Sequence, residues 1–197
     1  MPMPFDAMED LPDEALLARF ADGDAAAARV LTMRLTPRLF AHAWRLLGNR
    51  AEAEDVTQEA MLRLWKQAPD WREGEAKVTT WLYRVVANLC IDRQRRARGG
   101  TVAIDAIPEP ADGRASVVED MQQRARANAL QEALNDLPAR QRQAVALRHI
   151  DGLSNPEIAD IMEITIEAVE SLTSRGKRAL SAALSGRKEE LGYADET

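Results

Sequence analysis

The chain has 197 residues, of which 46% are hydrophobic and 29% charged, with a formal net charge of −6 at pH 7. That balance excludes a generally basic DNA-coating protein, and a single cysteine, Cys90, excludes an internal disulfide. No apolar run approaches the ~18 residues of a membrane span, and the opening MPMPFDAMEDLPDE lacks a signal peptide's charged and apolar regions. A cytoplasmic protein without membrane insertion is therefore expected. The length allows one large or two small domains, and the absence of a single hydrophobic pattern favours two small helical units.

Residues 1–12 read as a tail and residues 13–97 as the first unit. Asp13 can cap a first helix carrying Leu16, Leu17 and Phe20, which Gly23 ends. Asp24 opens a longer stretch with Val30, Leu31, Leu35, Leu39, Trp44 and Leu47, which Pro37 is expected to kink or divide. Gly48-Asn49 makes a turn, and a third helix runs from about Ala51 to Gln67 on the stripe Val56, Ala60, Leu64. Asp55, Gln58 and Glu59 share its opposite face, which by itself reads as a solvated acidic surface. Its carboxylates lie along one straight helix, which lacks the convergent geometry of a Ca²⁺ or Mg²⁺ site, so no metal or cofactor is expected. The segment APDWREGEAK, residues 68–77, is a loop.

Residues 79–98, TTWLYRVVANLCIDRQRRAR, join an aromatic, apolar head to an arginine tail within one helix. Trp81, Leu82, Val85, Val86, Leu89 and Cys90 form an apolar face, where Cys90 is expected as a buried, inert thiol. Positive charge gathers at Arg93, Arg95, Arg96 and Arg98, which suits a phosphate backbone, while nearby aromatics could stack on unpaired bases. The first 100 residues are neutral, with 15 basic and 15 acidic side chains. Nucleic-acid contact must therefore come from local clusters in a repulsive global field, which favours binding as part of a larger complex.

Residues 98–122 carry Gly99, Gly100, Pro108, Pro110 and Gly113 and turn acidic, as a flexible linker does. Helical patterning resumes near Gln123 with Ala129, Leu130, Ala133, Leu134 and Leu137, before Pro138 opens the next helix. Residues 123–187 form the second unit and residues 188–197 a tail. Ser154-Asn155-Pro156-Glu157 has the form of a capping box ahead of Ile158, Ala159, Ile161 and Met162. The turn Glu163-Ile164-Thr165 then leads to a helix with Val169, Leu172, Gly176 and Leu180 inward. Its outer row is Glu167, Glu170, Ser171, Ser174, Arg175 and Arg178, with Lys177 beside it, which a major groove could receive. A helical hairpin in a structural bundle is the plainer alternative. Arg175, Lys177 and Arg178 would supply phosphate affinity, and the acidic pair could accept from cytosine N4.

Four segments in order resemble the extracytoplasmic-function sigma factors, bacterial promoter-specificity subunits of the sigma-70 superfamily: ARFADGDAAAARVL, AEDVTQEAMLRLW, TTWLYRVVANLCIDRQRR and LPARQRQAVALRHIDGLSNPEIADIM. The resemblance runs from about Asp13 to Leu184 and implies an all-α fold of two small helical domains, regions 2 and 4, joined by a linker. It implies that Asp55, Gln58, Glu59 and Leu62 dock on the β′ coiled coil of core RNA polymerase, with the second domain on the β flap. Trp71 and Arg72 fall in the loop that receives a base flipped from the −10 promoter element. Lys77, Thr80, Trp81 and Asn88 fall on the same element's surface, and Arg93, Arg95 and Arg96 should hold phosphates. The −35 element would be read by Glu167, Glu170, Ser171, Ser174, Arg175, Lys177 and Arg178. Positions 170 and 172, commonly basic in the family, are Glu170 and Leu172 here. The resemblance also implies an anti-sigma partner.

Two other classes are open to the residues alone. A free-standing helix-turn-helix regulator would bind duplex tightly without polymerase, against which the acidic balance counts. An enzyme acting on nucleic acid would need a constellation that is missing: His42 and His149 have no partner in a motif and read as helix-surface or packing residues.

Overall fold

The structure is a computed structural model that describes residue 8 and residues 10–72, 74, 77–98 and 117–187. Most of the expected linker, most of the expected N-terminal tail and all of the expected C-terminal tail, residues 188–197, lie outside the described residues. Among the described residues every regular element is helical, so the fold is all-α.

Helix α1, Asp13–Ala21, starts after Pro12, and Asp13 is not its cap. Asp13 sits in the first turn, where the helix dipole favours a carboxylate, and accepts from Arg34 at 2.6 Å. Helix α2, Ala25–Leu47, is capped by Asp24, which accepts the Ala26 N–H at 3.0 Å. It runs undivided through Pro37. Pro37 and Met33, whose carbonyl loses its partner to the ring, both belong to the exposed flank, where water can serve that carbonyl. Gly48, at φ +69°, ends α2, and Asn49 caps α3, Arg50–Gln67, by accepting the Glu52 N–H at 3.0 Å. A 3₁₀ turn, Ala68–Asp70, leads to α4, Val78–Arg98.

Leu31, Leu35, Leu39, Val56, Ala60, Leu64, Leu82 and Val86 bury the facing stripes of α2, α3 and α4, and α1 closes the core with Leu16 and Leu17. Met8, expected in a tail, is fully buried there, and Leu11 packs against it. Cys90 is buried as expected, and its burial pushes the thiol up to about 12, which makes it inert.

The second unit begins with α5, Val117–Asn135, so helix replaces the last part of the expected linker. Then come α6, Ala139–Val145, a π-helical turn, Ala146–Ile150, α7, Asn155–Met162, and α8, Ile166–Ser185. Glu157 accepts the Ser154 N–H at 3.0 Å and so completes its half of the capping box. Between α7 and α8 the chain passes through Glu163 at φ +53°, and Thr165 accepts the Ala168 N–H. Helix α8 crosses α6 at Gly176, where a Cβ would stand 2.5 Å from Val145 Cγ2 and 3.3 Å from the Gln141 carbonyl. Gly176→Ala should therefore cost about 1–3 kcal/mol by overpacking, read as a lower melting temperature. An unchanged melt would mean that the two helices can separate freely at this crossing.

The two units pack against each other through a joint that is polar at α2 and apolar around Tyr83. The Leu46 carbonyl at the end of α2 accepts from Arg142 at 2.6 Å and from Gln94 at 2.8 Å, so an arginine of the second unit caps a helix of the first. His42, fully buried, donates from Nδ1 to Asp151 at 2.7 Å, and Arg45 donates to the same carboxylate at 3.0 Å. The Asp151 N–H reaches back to the Ala146 carbonyl at 2.9 Å, the wide turn that aims its side chain at α2. Tyr83 of α4 stands edge-on to His42 at 4.9 Å and is buried in the second unit's cluster with Leu147, Ile158 and Ile161. Burial, with Asp151 nearby, pushes its phenol up to about 12. The expectation that His42 is a packing residue holds, with the addition of an ionic partner 109 positions away in the sequence.

Candidate nucleic-acid interface

Helix α4 presents two different faces because its cations follow the 3.6-residue period. Lys77, just before the helix, then Trp81, Arg84, Asn88 and Arg95 fall on one side, with Thr80 beside them and largely buried. Arg93 and Arg96 turn toward α3 instead. Arg93 reaches Asp55 at 3.4 Å, and both arginines line a groove of about 400 Å³ with Asp55, Gln58, Glu59 and Leu62. The structure thus separates the expected phosphate-holding arginines: Arg95 stays on the Trp81 side, whereas Arg93 and Arg96 border the α3 surface. Arg84, absent from the sequence-based site, lies on the Trp81 side of α4. Its spacing of seven from Lys77 and four from Asn88 was the signal for it.

The aromatic end of this face is Trp71 against Trp81, ring centroids 5.8 Å apart and nearly perpendicular at 89°. Trp71 is half-buried, packs on the first core, and keeps its indole N–H buried without a partner among the described residues. Edge-to-face packing leaves one ring face of such a pair available for a planar base. Arg72 is exposed beside it. Trp44 and Trp65 pack on the core as half-buried side chains, with the Trp65 ring 4.8 Å from Phe20.

On α3, Leu62 is 53% exposed and lines the groove with Leu89 among polar neighbours. Asp55 and Gln58 are exposed, and Glu59 is held by Arg63 at 2.8 Å, whose hydrogen bond lowers the carboxyl's pKa. These four side chains form one continuous face, as the sequence spacing required.

In the second unit, Glu167, Glu170, Ser171, Ser174, Arg175, Lys177 and Arg178 are all exposed along α8. Arg175 folds back on its own helix, donating to the Ser171 hydroxyl at 2.8 Å. Asn155 donates to Glu170 at 3.4 Å, which ties the outer row to the first helix of the motif. His149 is exposed, and partial burial followed by Lys177 and Arg148 lowers its pKa. Lys177 and Arg148 therefore make a cationic shoulder around a His149 held toward its neutral form, beside the exposed outer row of α8; of the two cations, sequence reading named only Lys177 as a site residue. The shoulder joins the π-helical turn to α8, so no single helical period displays it.

The helix α7 side of the motif faces α4. Lys77 Nζ lies 2.7 Å from Glu157, Arg84 donates to the Asp160 carbonyl at 2.6 Å, and Arg84 stands 3.7 Å from Glu163. The Lys77 ammonium, with help from Ser154, brings the Glu157 carboxyl down to about 2, and the same contact raises Lys77.

Residues 31–99 match the family described as Sigma-70 region 2, and residues 127–180 that described as Sigma-70, region 4. The chain is 34% identical over 167 residues to the ECF RNA polymerase sigma factor SigE of Mycolicibacterium smegmatis, covering 81% of this chain and 63% of that protein. It is 32% identical over 165 residues to the ECF RNA polymerase sigma factor SigW of Bacillus subtilis, covering 75% of this chain and 83% of that protein. Its fold is similar to the sigma factor RpoE of Bartonella quintana, solved in complex with the anti-sigma factor NepR, with a TM-score of 0.63 and 26% identity. That likeness covers 78% of this chain and 94% of the solved one.

Proposed function

The chain belongs to the extracytoplasmic-function sigma factors of the sigma-70 family, and from that premise we propose that it is a promoter-specificity subunit of bacterial RNA polymerase. It docks on core polymerase through the α3 face of Asp55, Gln58, Glu59 and Leu62, with the β′ coiled coil as the partner and the β flap receiving the second unit. It reads the −35 element as duplex with α8 and captures the melted −10 strand on the Trp71–Arg95 face of α4. The chemistry of RNA synthesis stays with the polymerase, so this chain is not an enzyme. It works in the cytoplasm under control of an anti-sigma factor, as the complex of the Bartonella relative suggests.

The observation that carries this reading is the placement of two unlike surfaces on one helical unit. An acidic face centred on Leu62 adjoins a cationic and aromatic face centred on Trp81. A protein-docking surface needs an apolar anchor inside a polar rim, and a single-strand surface needs stacking rings beside phosphate-binding cations. The net charge of −6 weakens binding to DNA alone, so the polymerase must deliver the protein to the promoter.

The direct test is gel filtration with bacterial core polymerase, paired with duplex binding by the chain alone at physiological salt. Co-elution with polymerase and weak duplex binding are expected. Tight duplex binding without co-elution would replace this reading with the free-standing regulator.

A further inference from the structure

The outer row of α8 is not uniform, because several of its polar side chains are already engaged. The Glu167 carboxyl turns to the start of its own helix, where the Glu167 N–H and the Thr165 hydroxyl lower its pKa. Arg175 donates to the Ser171 carbonyl at 3.2 Å and to the Ser171 hydroxyl at 2.8 Å. Glu170 stands between these two groups and is exposed. Val169, fully buried, and Leu172, packed on the second unit's cluster, fix the rotation of α8 that turns it outward. Its hydrogen-bond partner among the described residues is Asn155, whose Nδ2 donates to Oε1 at 3.4 Å. Asn155 is the first residue of α7 and follows the Ser154 cap, so its backbone is fixed. The second carboxylate oxygen, Oε2, has no partner among the described residues.

We propose that Glu170 selects cytosine at one base pair of the −35 element by accepting from the cytosine N4 amino group, with Asn155 as the positioning residue that aims it. Cytosine selection here rests on the reading of α8 as the −35 helix. In the major groove guanine shows the acceptors N7 and O6, thymine shows O4, and only cytosine and adenine carry an amino donor. An ionised carboxylate can only accept. Against guanine or thymine it would be stripped of water and left unpaired among acceptors, which costs more than a missing contact. Adenine offers its N6 donor beside the N7 acceptor, so it ranks second. The carboxylate adds no affinity for phosphates, and selectivity comes from rejecting the other bases. Phosphate affinity stays with Lys177 and Arg178, which are exposed further along α8. A glutamate stem is flexible, and the Asn155 amide restrains it at Oε1 so that Oε2 reaches the groove.

The test compares the full-length protein with Glu170→Gln and Asn155→Ala in two selections from one duplex library randomised across the −35 positions. One selection is transcription with core polymerase, and the other is repeated capture on the protein alone at low salt. The wild type should enrich cytosine at one position about fivefold or more over guanine and thymine. Glu170→Gln presents an amide that both donates and accepts, so that one position should move to adenine while the others stay as they were. Asn155→Ala should keep cytosine there but with an enrichment about twofold or more smaller, at an unchanged melting temperature. A merely structural defect would weaken every position alike. A position whose preference follows residue 170 in either selection supports the proposal, and no such position in both overturns it. Undiminished cytosine preference in Asn155→Ala overturns the positioning role. If none of the three proteins directs transcription, the sigma reading fails, while capture on the protein alone still decides the role of Glu170.

Discussion

Replacing Gln58, Glu59 and Leu62 together by alanine is expected to weaken binding to core RNA polymerase by about ten- to a hundredfold and to leave the melting temperature unchanged. The size follows from the loss of an apolar anchor and its polar rim, since buried interface anchors are worth about 2 kcal/mol or more. The fold should not notice. Leu62 is 53% exposed, Gln58 is exposed, and the Glu59–Arg63 pair is an i,i+4 surface bridge of little stabilising value. Alanine also favours the helix at all three positions. A pull-down against immobilised polymerase, with thermal melts beside it, checks both halves. Unchanged affinity would remove α3 as the docking surface.

Trp71→Ala should slow or weaken promoter opening by about five- to a hundredfold while leaving closed-complex formation nearly intact. One base stacked on an aromatic ring is worth about 1–3 kcal/mol, and that base is available only after melting. Trp71 also packs against Trp81 and the first core, so truncation alone mixes stacking with stability. Trp71→Phe separates the two effects. It keeps an aromatic face and removes the buried, unpartnered indole N–H, so both opening and stability should persist. Permanganate reactivity of the melted strand reads opening, and a gel shift reads the closed complex. Equal loss of both steps in the alanine variant would make Trp71 a structural residue.

The helices and the faces were legible in the sequence because they are local. Heptad-scale spacing placed Val56, Ala60 and Leu64 in the core and Gln58 and Glu59 outside, and capping chemistry at Asp24 and Glu157 marked where helices start, whereas the Asn49 cap reads in the sequence as part of a turn. Pro37 leaves α2 undivided because solvent can serve the freed carbonyl, and exposure is not written in a helical period. Met8 misled because burial of one side chain beyond a recognisable element leaves no periodic trace. Val117 lies after a Pro- and Gly-rich stretch whose composition hid where the helix begins.

The joint between the units was invisible for a different reason. His42 and Asp151 are 109 positions apart, and neither residue belongs to a motif. Their meeting depends on a π-helical turn that no local preference announces. Arg142 looks like a solvated helix arginine, yet it caps α2 from the other unit. Packing of α3 on α4 likewise divided the arginine tail of α4, because Arg93 reaches Asp55 on α3 while Arg95 stays on the Trp81 side. Residue type and spacing therefore picked out the candidate surfaces, while tertiary contact decided which cation borders which surface.

The measurement that bears most directly on the central claim is in-vitro transcription with bacterial core RNA polymerase on a genomic fragment library, with and without this protein. Start sites that appear only on its addition, each preceded by shared −10 and −35 sequences, are the predicted result. No added start sites, with folded protein and competent polymerase, would contradict the account.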